Sequence, residues 1–479
     1  MTGSRLVFAL GGLALCTACA GRLEDAPPSA IPLPADWNGA DGGALLPVAE
    51  YWTQLGDPLL TSFVEQAIVN NRDLALSASR VAQSRAGVRQ ARAGYLPTVY
   101  GNAGIRRDFG EFTTDDISLS LGGDVRWEID LFGRVRYDVA ASRASLVAAG
   151  YGLGDVQRLI VGQVAQTTVS ARALAVQLAI ARQTLSVQDD NFQIAEWRRE
   201  AGLVSSLDVE QARAQRAQTA ATIPALERDL AAAANTISTL IGEPPGRVRD
   251  LLSDEGAARI PAPPAQVGLD IPAEVIRRRP DVRQAEAFLM ADTARIGLAR
   301  TQLLPALQVT GAVSTLSTGF GGLLDQITGN LFAGLSQLIF DGGRLAAQVD
   351  VAEAIAQGSL ASYEQAILLS LEDVESAAAA LTAARARVVL FAEARDAADT
   401  AAILARSQYQ AGLIDFQTLL TAENQLLNAR NAFAGSEAER ANAFIRLTQA
   451  LGGGWDPEAI EFTINPPPIV LTGSERAAQ

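Results

Sequence analysis

The 479-residue chain has no histidine, no lysine and only two cysteines. Without imidazole there is no Ser-His-Asp or Cys-His engine and no histidine-bound metal. Cys16 and Cys19 both fall within the first twenty residues, so the rest of the chain can form no disulfide, thiolate nucleophile or cysteine zinc site. The 39 basic side chains are all arginine and face 53 acidic ones, for a formal net charge of −14. Such a chain is a poor partner for nucleic acid. No residue set calls for a metal or cofactor, and none suggests an enzyme. Beyond residue 20, Arg, Asp, Glu or Gln breaks every apolar run before it reaches the roughly 18 to 20 residues of a spanning helix. Any membrane crossing therefore falls to strands closed into a barrel.

The first residues follow a secretory pattern, with Arg5, then an apolar run from Leu6 to Leu15, then small residues ahead of a cysteine. This resembles a bacterial lipoprotein signal, spanning residues 1–18. Cys19 follows Thr17-Ala18 and is the better lipidation candidate, although Cys16 stays open. Ala20 follows it, which points to the outer membrane.

From Ile117 to Ile129 the odd positions are apolar or glycine and the even ones polar or glycine, a period of two long enough for a tilted transmembrane strand. The odd side is expected to meet lipid and the even side water. A weaker alternation runs from Val99 to Arg106, and the two read as one hairpin. Leu307 to Thr315 and Asn330 to Phe340, joined by Gly319 to Gly322, suggest a second.

Internal repetition supports the pairing. Leu96-Pro97 recurs as Leu304-Pro305 and Arg72-Asp73 as Pro280-Asp281, both 208 residues on. Gly133-Arg134 recurs as Gly343-Arg344, Ala201-Gly202-Leu203 as Ala411-Gly412-Leu413, and Leu240-Ile241-Gly242 as Ala450-Leu451-Gly452, all 210 residues on. The organisation expected is a lipidated extended segment over 19–50, a first repeat over 51–242, a linker over 243–272, a second repeat over 273–455 and a tail over 456–479. The hairpins occupy about 98–129 and 306–340. The Pro-rich linker is expected to have little regular structure.

Between Arg134 and Glu200, and between Arg344 and Gln410, there is no proline, which predicts two helices of about 100 Å at 1.5 Å per residue. Gly150, Gly152, Gly154 and Gly162 should loosen the first. No strand feeds this glycine run, so a phosphate loop is rejected. In the last helix Leu419, Leu426, Phe433 and Leu447 form one seam, with Leu420, Leu427, Ala434 and Ala441 beside it. A wall of packed helices suits this pattern better than a solid bundle.

Three segments carry a family resemblance. Pro272 to Glu286, with Arg278-Arg279-Pro280-Asp281 at its centre, looks like the signature opening the second repeat of outer-membrane factors of tripartite efflux systems, the TolC/OprM family, in its lipoprotein branch. Trp127 to Arg134 is similar to that family's post-hairpin motif and Tyr409 to Leu413 to its helix-tip motif; in the first repeat the aromatic, Trp197, is displaced. The resemblance implies a mainly α fold with a β-barrel portion. Three chains would give four strands each to one 12-stranded barrel, continued by a helical barrel in the periplasm. It further implies a passive exit duct, docked by a periplasmic adaptor and fed by an inner-membrane transporter of the RND type. A trimeric adhesive protein with coiled-coil stalks is the alternative, disfavoured because the rods return to the lipidated side. On this reading the gate lies at the helix-hairpin tips, with Gly202, Asp208, Gly412 and Asp415, and the adaptor docks on Leu203, Val204, Leu413 and Ile414. Ser205 and Asp415 are also natural helix caps.

Overall fold

A computed structural model describes residues 27–37, 48–107, 109, 117–253, 259–265, 267–268, 270–318, 320–322 and 324–457. Cys16 and Cys19 lie outside them, as does most of the loop between the first two strands.

The duplication is visible in element lengths. The first repeat runs α1 (Pro58–Asn70), α2 (Arg72–Ala93), β1 (Thr98–Arg107), β2 (Ile117–Ile129), α3 (Arg134–Glu200) and α4 (Ser206–Leu240). A connecting helix α5 (Arg247–Ser253) follows, then α6 (Pro272–Arg278), α7 (Pro280–Thr301), β3 (Ala306–Ser317), β4 (Ile327–Ser336), α8 (Arg344–Gln410) and α9 (Phe416–Ala450). Helices α2 and α7 have 22 residues each, α3 and α8 have 67, and α4 and α9 have 35.

The four strands form one antiparallel sheet in the order β1-β2-β3-β4, leaving β1 and β4 as open edges. The registers put odd residues beside odd ones throughout, such as Val99 opposite Val125 and Val125 opposite Gly311. One face therefore carries Ile105, Leu121, Val125, Trp127, Val313, Leu331 and Leu335, and the other carries Asn102, Asp124, Arg126, Ser314 and Thr328. The polar face is bonded internally, Asn102 donating to Asp124 at 2.6 Å. The alternation read from Ile117 to Ile129 is thus matched by all four strands. The second hairpin is shorter than expected, because β4 starts at Ile327 and stops at Ser336, opposite the first residue of β3. Leu338, Ile339 and Phe340 are exposed, the last two almost completely.

The linker holds one seven-residue helix, α5, whose Val248 and Leu252 enter the main core. One further expectation fails. The glycines of α3 do not loosen it, since the helix is continuous over its 67 residues. They admit neighbours instead. A Cβ on Gly154 would stand 2.7 Å from the Trp455 ring, and one on Gly152 or Gly162 would strike Gln284 or Gln449. One window of α3 is apolar enough to cross a bilayer by composition, but 56% of it is buried against the protein.

The main core sits where both repeats meet, around Tyr51, Phe63, Val164, Ile237, Phe444 and Leu447. Equivalent polar locks hold each repeat closed there. In the first, Asn71 caps α2 and donates to the carbonyl of Leu240 at 2.8 Å. In the second, at the residue 208 positions later, Arg279 donates to the carbonyl of Ala450 at 3.2 Å and pairs with Asp281 and Asp373. Each lock satisfies a carbonyl left over at a helix C-terminus. Asp57 caps α1 and is ion-paired with buried Arg172 at 2.9 Å. The N-terminal strap crosses this region too, with Ile31 packed on Ile276, Val282 and Ile367, and Trp37 donating to the carbonyl of Asp270 at 2.6 Å.

Candidate functional site

The chain reverses twice at the end of the rods remote from the sheet, and both turns use the same device. Gly202 and Gly412 adopt φ of 73° and 74°, a left-handed conformation that glycine reaches without strain. Leu203 N–H then donates to the carbonyl of Arg198 at 2.8 Å, and Leu413 N–H to that of Gln408 at 2.9 Å. Each closes a helix end in a Schellman turn.

The caps that follow differ. Ser205 and Asp208 form a capping box, with Asp208 accepting from the Ser205 N–H at 2.9 Å. Asp415 caps α9 alone, accepting from the Thr418 N–H at 2.8 Å. With the offset of 210 the counterpart of Asp415 is Ser205, and that of Asp208 is Thr418. Asp208 and Asp415 are therefore not equivalent, although both already serve helix starts. The hydroxyl and N–H of Thr418 hold the Asp415 carboxyl below the usual carboxylate range. Leu203 and Leu413 are 73% and 75% exposed, whereas Val204 and Ile414 are half-buried and Ile414 packs into the tip cluster.

That cluster joins the two hairpins. Ala195, Val209 and Ala212 of the first meet Ala405, Tyr409, Phe416, Leu419 and Leu420 of the second. Arg198 reaches across from α3, 4.6 Å above the Tyr409 ring, and donates to the carbonyls of Tyr409 and Gln410 at 3.4 Å. A cation at the C-terminus of α8 complements its dipole, and the ring adds a cation–π contact. Closer to the main core, buried Glu423 accepts from Asn191 at 2.9 and 2.7 Å and from Arg406 at 3.2 Å. Gln215 donates to Asn424 at 2.6 Å. Toward the tips the hairpins are thus tied together by polar links at Arg198, Asn191 and Gln215, and nearer the main core by Arg158 and Gln166 with Gln449.

These cross-links escaped the sequence reading. A signal existed for Glu423, a carboxylate lying between Leu419-Leu420 and Leu426-Leu427 on an otherwise apolar seam. Nothing in the sequence distinguishes Asn191 or Arg198. Among the described residues no cluster of side chains is arranged to hold a metal ion.

The family model described as "outer membrane efflux protein" matches residues 63–243 and 271–453. Nodulation protein T of Rhizobium leguminosarum bv. trifolii is 31% identical over 463 residues, covering 93% of this chain and 96% of that protein. The pyoverdine export outer membrane protein OpmQ of Pseudomonas aeruginosa is 29% identical, covering 90% and 93%. Among solved structures, the outer-membrane channel OprN superposes with a TM-score of 0.80 at 30% identity, covering 90% of this chain and 99% of that one.

Proposed function

The chain belongs to the outer membrane efflux protein family and is an outer-membrane exit duct, and from that premise we propose how it assembles, opens and docks. Three copies close one 12-stranded barrel. The supporting observation is the open four-stranded sheet, whose edges β1 and β4 have no partner among the described residues. Four strands are too few for a barrel, and an unpaired edge in lipid costs several kcal/mol per orphaned group. Cys19 carries the lipid anchor. The rods stand in the periplasm, at about 100 Å long enough to cross much of it. Cargo arrives from an inner-membrane transporter of the RND type through a periplasmic adaptor.

The tips are the gate and the dock. Exposed Leu203 and Leu413, with Val204 and Ile414 behind them, offer apolar anchors for an adaptor. Around a threefold axis Asp415 forms a ring of three carboxylates that favours cations. The gate opens when the links at Arg198 and Glu423 part, because these bonds hold the two hairpins of each chain side by side.

Planar-bilayer recording tests the duct and the gate together. Arg198→Ala with Glu423→Gln is expected to raise the open fraction of an otherwise intact trimer. Asp415→Ala is expected to lower cation preference and divalent block, and Gly412→Val to abolish drug efflux in cells while the trimer still inserts. A double variant that conducts like the parent would remove the gate from these links. Unchanged selectivity would leave Asp415 a helix cap only, and normal efflux by Gly412→Val would move the dock elsewhere.

A further inference from the structure

Helices α2 and α7 occupy the same place in the two repeats, yet they carry charge differently. Helix α7 holds Arg283, Arg295 and Arg300, and each is ion-paired, with Glu286, Asp292 and Glu353 respectively. Helix α2 holds five arginines, Arg72, Arg80, Arg85, Arg89 and Arg92, against the single acid Asp73. It is a basic helix in a chain of net charge −14. Arg89 and Arg92, about one turn apart at its sheet end, are exposed, and neither guanidinium meets an acceptor among the described residues. At the positions 208 residues later stand Gly297 and Arg300, the latter held by Glu353 at 2.9 Å. The duplicate has therefore lost one of these cations and neutralised the other.

The fold shows which way the pair points. A hollow of about 750 Å³ below the sheet takes chiefly even-numbered strand residues, among them Arg126, Glu128, Gln308 and Thr310, and takes Gln90, Ala91, Ala93 and Gly94 from α2. Neither Arg89 nor Arg92 lines it, and at about 100° per residue the pair points about 150° away from the α2 residues that do. Arg89 and Arg92 thus stand on the side of the odd, apolar face of the sheet. At the foot of that face Trp127 donates to the carbonyl of Tyr95 at 3.1 Å, and Trp127, Tyr95 and Leu96 are all exposed. Aromatic side chains of this kind mark the interfacial level of a bilayer. Arg92 precedes Tyr95 by three residues and Arg89 lies about 4.5 Å lower along the axis, within reach of a headgroup layer about 5 to 7 Å thick.

We propose that Arg89 and Arg92 bind the phosphate of an anionic phospholipid in the periplasmic leaflet of the outer membrane, one site per chain. Their level and facing rest on the reading that odd strand residues meet lipid; the headgroup preference goes beyond it. The site continues the lipid-facing surface of the strands downward, and its charge complements the ligand. A guanidinium fork matches phosphate oxygens, and its aliphatic stem can lie along the helix while the head reaches the headgroups. Two cations are only partly compensated by a zwitterionic headgroup, which brings its own ammonium, so a headgroup of net negative charge is preferred.

Trp127 is a reporter already in place beside this site. The full-length protein is reconstituted into vesicles of phosphatidylethanolamine and phosphatidylglycerol in which one lipid or the other carries brominated acyl chains, which quench tryptophan on contact. The share of the quenching due to Trp127 is the difference from Trp127→Phe. Brominated phosphatidylglycerol is expected at Trp127 at about fivefold or more over its share of the bulk lipid, the factor that one arginine at a membrane surface supplies. Arg89→Gln with Arg92→Gln should abolish that enrichment. Arg72→Gln with Arg80→Gln, an equal loss of charge on the same helix but further from the sheet, should keep it. Enrichment unchanged in the first double variant, or lost equally in both, would overturn the site. If both brominated lipids quench Trp127 alike in the parent, the headgroup site falls while the facing of the sheet stands; if neither quenches it, the facing itself is wrong. Light scattering in detergent covers the other possible occupant: a first double variant that loses the mass of the parent assembly would make the pair an interface between copies instead of a lipid site.

Discussion

Helices α3 and α8 are duplicates of equal length, yet about twice as many residues of α3 are buried as of α8. Helix α3 lies among α1, α2, α4, α7 and α9, whereas α8 leans chiefly on α9 and α7. Helix α8 is no less apolar, for Val351, Ile355, Val389, Leu390, Ile403 and Leu404 all stand exposed on it. One copy of the duplicated rod has become the core of the chain, and the other keeps a hydrophobic face that nothing among the described residues covers. An exposed apolar patch of this extent marks an interaction surface. Duplication supplied two similar rods, and their positions gave them different tasks.

The sharpest way to break this contrast is to put the same charge on both rods. Val164→Glu buries an unpaired carboxylate in the core, a cost of several kcal/mol, and the chain should fail to reach the membrane folded. Val389→Glu should leave the folded chain intact and weaken assembly, read as loss of trimer by light scattering with an unchanged helical circular dichroism signal.

The two locks are the next test. Removing Arg279, whose side chain is 3% exposed, strands Asp281 and Asp373 and should cost about 3 kcal/mol, the lower end for a buried pair because both partners reach solvent. Asn71→Ala, in the neutral lock of the first repeat, should cost about 1 to 2 kcal/mol. Denaturant unfolding of the two variants ranks them; equal costs would mean that the locks are energetically interchangeable.

Glycines divide in the same way. Gly154→Leu drives a side chain into the Trp455 ring and should destabilise by about 1 to 3 kcal/mol. Gly358→Ala in α8 meets open space and should stabilise by about 0.5 to 1 kcal/mol through helix propensity. Thermal unfolding should give shifts of opposite sign.

The smallest effect concerns the caps. Asp415 has a depressed pKa in the folded chain, so its stabilising contribution is present at neutral pH and is lost as pH falls through that lowered value. The protection factor of the Thr418 amide should therefore hold down to the ordinary carboxylate range and fall as pH drops through the lowered value. Asp415→Asn should flatten that dependence, since asparagine caps at every pH.

Much of this architecture was legible in periodicity and repetition. The odd-even alternation from Ile117 to Ile129 reflects a sheet wetted on one side, and proline-free stretches bounded by Gly133 and Gly202, or Gly343 and Gly412, reflect helices that end where glycine permits a left-handed turn. What escaped was set by distant neighbours. The fit of Gly154 depends on Trp455, about 300 residues away, and local propensity reads the glycine only as a weak point. The end of β4 depends on where β3 begins, which its own alternation does not encode. At the tips the turns and caps were legible because they are local, while the Arg198 and Glu423 links join residues about 210 and 230 positions apart.

The strand register also fixes a slant. A rung followed from Thr98 through Arg126 reaches Thr310, four residues beyond Ala306, the duplicate of Thr98. Four residues are about 13 Å along a strand, gained over two strand spacings of about 9.6 Å, which corresponds to a tilt a little above 50°. At that tilt the 13 residues of β2 rise about 25 Å, the height of the apolar band of an outer-membrane barrel. Each repeat then takes about 16 Å of circumference, so in the proposed barrel of three copies six of them enclose a backbone bore of about 30 Å. A bore of that size does not sieve small molecules, which agrees with the gate proposed at the far end of the rods.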